Sequence, residues 1–229
     1  MLQTALFAAG ASLPLLIGGA LGASWKPPQR VLAVALAFAA GALISAVAFE
    51  LFQKSYEDGG VVRAGLGFAA GALVFVVVDT LLEKWTAGSS SVGFALLAGV
   101  TLDGIPENVA LGVSLAGGGS IALLAAIFAS NFPEALGGAA KMRANGRSRK
   151  AVIAIWGAAT LLLALAVVAG RVLFAGSDPE QLALPLAFAG GAVLASVIDT
   201  VAPEAFEEGG PYVALASAAG FVAAFLLGH

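Results

Sequence analysis

Asp103 and Glu107 stand four residues apart in the run Asp103-Gly-Ile-Pro-Glu107, and Ser130 and Glu134 stand four apart in Ser130-Asn-Phe-Pro-Glu134. On an α-helix that spacing puts both side chains on one face. Asn131, three before Glu134, shares the second face, and Asn108 directly follows Glu107. Three carboxylates facing one another repel unless they are protonated or share a cation. A divalent ion resolves the conflict, and an all-oxygen donor set is what such an ion accepts. The prolines belong to the same pattern. Pro106 has no N–H for the carbonyl of Leu102, and Pro133 none for that of Ala129, so each leaves a backbone oxygen one turn before its glutamate. Against this stands a plainer reading, in which the prolines kink two helices and the carboxylates pair with polar neighbours. Two Pro-Glu breaks in adjacent segments favour the cation.

Other chemistries are poorly served. Cysteine is absent and the one histidine is His229, which removes thiolate sites and histidine clusters. No Gly-x-Ser-x-Gly elbow occurs, and no arginine stands in the middle of an apolar segment to hold a phosphate. An enzyme is therefore not expected, nor a prosthetic group, nor a nucleic-acid partner.

The elements that must carry these residues are membrane helices. Hydrophobic residues make up 60% of the 229 and charged ones only 11%, against roughly 25% charged in a soluble domain. So few charges cannot cover that much apolar surface in water, whereas lipid solvates it. Crossing the hydrocarbon takes about 20 apolar residues. Charges, Gly and Pro divide the chain into eight stretches near that length: Leu2 to Ala23, Val31 to Phe52, Val61 to Leu82, Val92 to Leu115, Ile121 to Ala140, Ala151 to Leu173, Leu182 to Ala202 and Tyr212 to Leu227. The first, without a basic start and interrupted by Pro14, reads as a retained helix rather than a cleaved signal. Asp103 and Glu107 then fall mid-span, where a carboxylate costs at least about 2.5–3.5 kcal/mol and is a functional candidate by default.

Basic residues set the orientation. Lys26, Arg30, Lys84, Lys141, Arg143, Arg147, Arg149 and Lys150 flank the odd-numbered connections, and only Lys54, Arg63 and Arg171 the even ones. This predicts odd connections in the cytoplasm and both termini outside. Two repeats sharpen the plan. AFAAGALISAVAFELFQKSYEDGG, Ala37 to Gly60, aligns without a gap on AFAGGAVLASVIDTVAPEAFEEGG, Ala187 to Gly210, at an offset of 150. The Asp103 and Ser130 motifs align at an offset of 27. The chain reads as one domain, 1–229, with inverted repeats 1–85 and 150–229 around central helices 92–142, a 3+2+3 plan common among secondary transporters.

A second tier of carboxylates is expected along the path or at its gates: Glu50 near the outer end of the second stretch, Asp79 and Asp199 near the inner ends of the third and seventh, and Glu204 at the inner boundary. Simple solvation is the alternative for these four. Glu57, Asp58, Glu207 and Glu208 fall in predicted loops.

At Asp103 to Gly112 and Asn131 to Gly137 the chain resembles the ZIP family of divalent metal ion transporters, as a histidine-poor, prokaryotic-type member. That family carries a His-Asn-x-Pro-Glu-Gly type motif in helix four and a related one in helix five. The resemblance implies metal ligands at Glu107 and Glu134, with Asp103 where histidine is usual, Asn131 at a second-ligand position, Ser130 in place of His or Gln, and Asn108 nearby. The substitutions imply one principal ion site. The histidine-rich loop often found between helices three and four is replaced by the short Glu83 to Ser91. The resemblance further implies a multi-pass protein of the prokaryotic cell membrane, often a homodimer amid lipid, passing Zn2+, Fe2+ or Mn2+ toward the cytoplasm by alternating access. Loss of imidazole tilts the preference to Mn2+ or Fe2+. A passive channel, or an exporter of another cation or solute, is the alternative.

Overall fold

The computed structural model describes residues 1–86 and 92–229. The described residues form nine α-helices and two π-helical segments, with no strand among them. In order they are α1 (Leu2–Gly22), α2 (Gln29–Ala46), a first π segment (Val47–Gln53), α3 (Lys54–Thr86), α4 (Val92–Ala116), α5 (Ile121–Ala144), α6 (Arg149–Leu173), α7 (Pro179–Ser196), a second π segment (Val197–Val201), α8 (Ala202–Gly209) and α9 (Val213–Gly228). Local chemistry sets several starts. Ser120 and Ser148 cap α5 and α6 by accepting from the N–H groups of Leu123 and Ala151 at 3.0 and 3.2 Å. Gln181 Oε1 accepts from the Asp178 N–H at 3.2 Å to open α7, which has Pro179 in its first turn.

Among the described residues, five helical stretches are long and apolar enough to cross a membrane, by length and composition: Leu2–Gly22, Gln29–Trp85, Ile121–Ala144, Arg149–Leu173 and Pro179–Glu207. Val213–Gly228 is a shorter apolar helix. The outward faces match a lipid surroundings: Leu66, Leu73, Val77 and Leu81 of α3 and Leu161, Leu165 and Val172 of α6 are all exposed. Water would not tolerate apolar stripes of that extent. Inside, one core gathers Leu36, Leu43, Leu111, Leu123, Ile127 and Leu186, and a second forms around Trp156 with Leu15, Met142 and Leu163.

The offset of 150 reappears in the backbone. α2 and α7 start at Gln29 and Pro179 and end at Ala46 and Ser196, and a π segment follows each, from Val47 and from Val197. Both helical runs stop at a glycine with positive φ: Gly60 (75°), where the backbone breaks inside α3, and Gly210 (69°), just after α8. A side chain is strained there, so glycine is what lets the chain turn. Packing follows the same rule. α2 lies against α9 and α7 against α3, while α1 lies against α5 and α6 against α4. At the first two contacts the backbones touch: a methyl group at Gly41 would overlap the Ser217 carbonyl oxygen, and one at Gly191 that of Phe68.

Three expectations about boundaries change. The second and seventh apolar stretches continue as helix well past Phe52 and Ala202, through the π segments to the two glycines. Glu57, Asp58 and Glu207 consequently lie on helix rather than in loops. Good helix formers precede both Gly-Gly pairs, and nothing stops the helix before the backbone can turn left-handed. Of the connection expected over Glu83 to Ser91, 83–86 belongs to α3 and 87–91 lie outside the described residues.

Close contact at these glycines makes a direct test. Gly191→Ala and Gly41→Ala should each lower stability in detergent by about 1–3 kcal/mol through overpacking. Gly65→Ala, a helical position with open space around it, should be neutral or gain up to about 1 kcal/mol. Thermal unfolding of the three variants checks this.

Candidate cation site

α4 contributes Asp103, Glu107 and Asn108, and α5 contributes Ser130, Asn131 and Glu134. Both helices run through their prolines without interruption. Asp103 and Glu107 are 7% and 2% exposed, which removes them from the reach of bulk water; Asn108, Ser130 and Asn131 are buried as well. Glu134 is partly buried.

Hydrogen bonds orient most of the set. Ser130 Oγ donates to Glu134 Oε1 at 2.7 Å, one turn away on the same face. Asn131 Nδ2 donates to the Ala11 carbonyl at 2.7 Å and so ties α5 to α1. Asn108 Nδ2 donates to the Gly104 carbonyl at 2.8 Å. Its Oδ1 is buried with no hydrogen-bond partner among the described residues. Buried acceptors are rarely left bare. Asp103 reaches away from its own hairpin: Ser196 Oγ of α7 donates to its Oδ1 at 2.9 Å, and Thr200 lines the same cavity wall.

The carboxylates form a connected series of mutually repelling charges. Glu107 lies within electrostatic range of Glu134 and Asp103, and Asp103 of Asp79 and Asp199. Asp79 in turn feels Asp199 and Glu83. A cavity of about 290 Å³ opens where the last of these meet, lined by Asp79, Leu82, Glu83, Gly99, Asp103, Asp199 and Thr200. It is wide enough for a cation that keeps water in its shell.

This arrangement refines the expected site. The motif carboxylates come within range of one another, but no group of three or more His, Cys, Asp or Glu side chains among the described residues is disposed to hold a metal ion. The reason is visible in the hydrogen bonds: Asp103 is drawn to α7 and Glu134 to Ser130. Neutral oxygens or a carboxylate shift would have to complete a coordination shell. Asp79 and Asp199, placed by the sequence in a separate tier, share one cavity with Asp103. Glu50 lies in the first π segment against Gly228 of α9, near Ala122 of α5. Glu204 pairs with Lys141 and lies within range of Glu134. Sequence reasoning missed Ser196 as the hydrogen-bond partner of Asp103 and Thr200 as its neighbour in the cavity wall. Their spacing of four, with Asp199 between them, was the available signal.

Comparison with models of known protein families returns no match, and neither does comparison with curated proteins.

Two asparagines of the site should behave differently when made apolar. Asn131→Leu breaks the tie to Ala11 and should cost about 1 kcal/mol or more. Asn108→Leu removes an unpartnered buried acceptor and should leave stability unchanged or raise it. Chemical or thermal unfolding of both variants in the same detergent decides.

Proposed function

We propose that the protein is a carrier for divalent metal ions, with Mn2+ and Fe2+ suited at least as well as Zn2+. The observation that carries this reading is the connected set of carboxylates from Glu134 and Glu107 through Asp103 to the cavity at Asp79 and Asp199, with the unpartnered Asn108 Oδ1 buried on the helix that carries Asp103 and Glu107. Anions repel and neutral solutes gain nothing from such a lining, whereas a divalent cation neutralises it. All the donors are oxygen, the preference of harder ions.

On this reading the chain crosses the cell membrane eight times, in two inverted three-helix repeats around α4 and α5, with both termini outside. The matching helix starts, π segments and closing glycines of the two repeats support that plan. The ion sheds water onto Glu107, Glu134, Asp103 and the neutral oxygens of Asn108, Ser130 and Asn131. It leaves through the cavity, past Asp103 and then Asp79 and Asp199, toward the cytoplasm. Two exposures of one site in alternation require that the hairpin of α4 and α5 shift against the repeats. Saturable flux with competition among divalent ions separates this from a passive channel.

Uptake of Mn2+ into proteoliposomes tests it. Glu107→Gln and Glu134→Gln keep shape and hydrogen-bonding atoms while removing charge, and each should cut uptake at least about tenfold, the effect of losing one charged ligand. Wild-type uptake in both variants would refute the carrier.

A further inference from the structure

Polar ties join both ends of the α4–α5 hairpin to the rest of the bundle. Just past α4, the Gly117 carbonyl accepts from Lys54 Nζ at 3.2 Å, and Gln3 Nε2 of α1 braces the same turn by donating to the Gly118 carbonyl at 3.3 Å. In the last turn of α5, Lys141 Nζ pairs with the Glu204 carboxylate. Lys54 begins α3 directly after the first π segment, and Glu204 lies in α8 just after the second. The two positions are 150 apart, the spacing that also relates the helix starts, the π segments and the closing glycines. The hairpin repeats as well: the offset of 27 that carries Glu107 onto Glu134 carries Gly117 onto Ala144, one turn from Lys141. One repeat thus grips the C-terminal end of α4, and its equivalent residue in the other grips the C-terminal end of α5.

The charges differ because the targets differ. A helix C-terminus offers bare carbonyls and the negative end of its dipole, which an ammonium group caps. α5 already carries Lys141 and Arg143 in its last turn, so there the complementary group is a carboxylate. Neither contact is a folding device. Lys141 and Glu204 are 46% and 33% exposed, and pairs of that exposure add little to stability. The same small energy biases a balanced two-state equilibrium by about fivefold.

We infer that Lys54 and Glu204 are equivalent latches at opposite ends of the hairpin, and that releasing either one favours the state open at its own end. The inference rests on the carrier reading for what passes, but not for the latches themselves. The cavity at Asp79, Asp103 and Asp199 belongs to the Glu204 end, since Thr200 in its wall is one turn before Glu204.

The chain has no cysteine, so a single one introduced as Leu82→Cys, in the cavity wall, reports access of a positively charged thiol reagent in nanodiscs. Thr200→Cys serves as a second reporter in the same wall. Glu204→Gln should raise the modification rate about fivefold and Lys54→Met lower it about fivefold. Exchange of the pair, Lys141→Glu with Glu204→Lys, should return the rate to that of the reporter alone. Rates that stay within about twofold of the reporter in both single variants, or that move the same way, overturn the latches. An exchange no better than Glu204→Gln overturns the pairing of Lys141 with Glu204. Thiol reactivity needs no cargo. Opposite shifts without Glu107-dependent Mn2+ uptake therefore keep the latches and discard the carrier, and unmoved rates with that uptake do the reverse.

Discussion

Like charges held together in a medium of low dielectric set the terms for this fold. In water two carboxylates a few ångströms apart interact by about 1 kcal/mol, and the figure grows several-fold as solvent is excluded. Asp103 and Glu107 are nearly sealed from solvent, yet lie within range of each other and of Glu134. An apolar core would be more stable with leucines there, so the arrangement is costly to the fold itself. The hydrogen bonds that exist do not neutralise the set. Ser130 and Ser196 each donate one proton to one oxygen, which leaves protonation or a shared cation to relieve the repulsion.

Symmetry gives this burden a structure. Each repeat delivers a helix, a π segment and a glycine with positive φ in the same order, 150 residues apart. A π turn carries one residue more per turn than an α-helix should, which is why such turns gather at functional positions. Here the first holds Glu50 and the second Asp199. The repeats are equivalent in backbone and unequal in chemistry. Asp199 faces a cavity continuous with Asp103, whereas Glu50 rests against Gly228 and Ala122. On the carrier reading, two openings to one site would require that asymmetry in any single state.

How much of this was legible in the sequence depends on the range of the interaction. The repeat is readable because its signature is local: the glycine pairs at 59–60 and 209–210 and the aligned small residues before them need no third dimension. The grouping of Asp103 with Glu107 and of Ser130 with Glu134 is readable for the same reason, being one turn of one helix. What escapes is contact across elements. Nothing in the spacing of Asp79 and Asp103 says that they share a cavity, because that depends on α3 and α7 packing backbone to backbone through Gly71 and Gly191. Helix ends escape for a different reason. Apolar length marks where lipid stops, and the helical runs that begin with α2 and α7 continue beyond it, through the π segments, until a glycine releases the backbone.

Asp103 is where these strands meet. In the motif it resembles, the position belongs to histidine, a ligand with one donor atom aimed at the metal and one N–H aimed away. A carboxylate has two acceptors and no such proton, so its second oxygen needs a donor from elsewhere. α7 supplies it through Ser196, 0% exposed and four residues before Thr200. That hydrogen bond links α4 to α7, in addition to the ties at Gly117 and Lys141. On the carrier reading, a cation arriving at Asp103 would compete with the Ser196 hydroxyl for the same oxygen and weaken that link as it binds. Cargo binding and loosening of the hairpin would then be one event, carried by a single hydrogen bond.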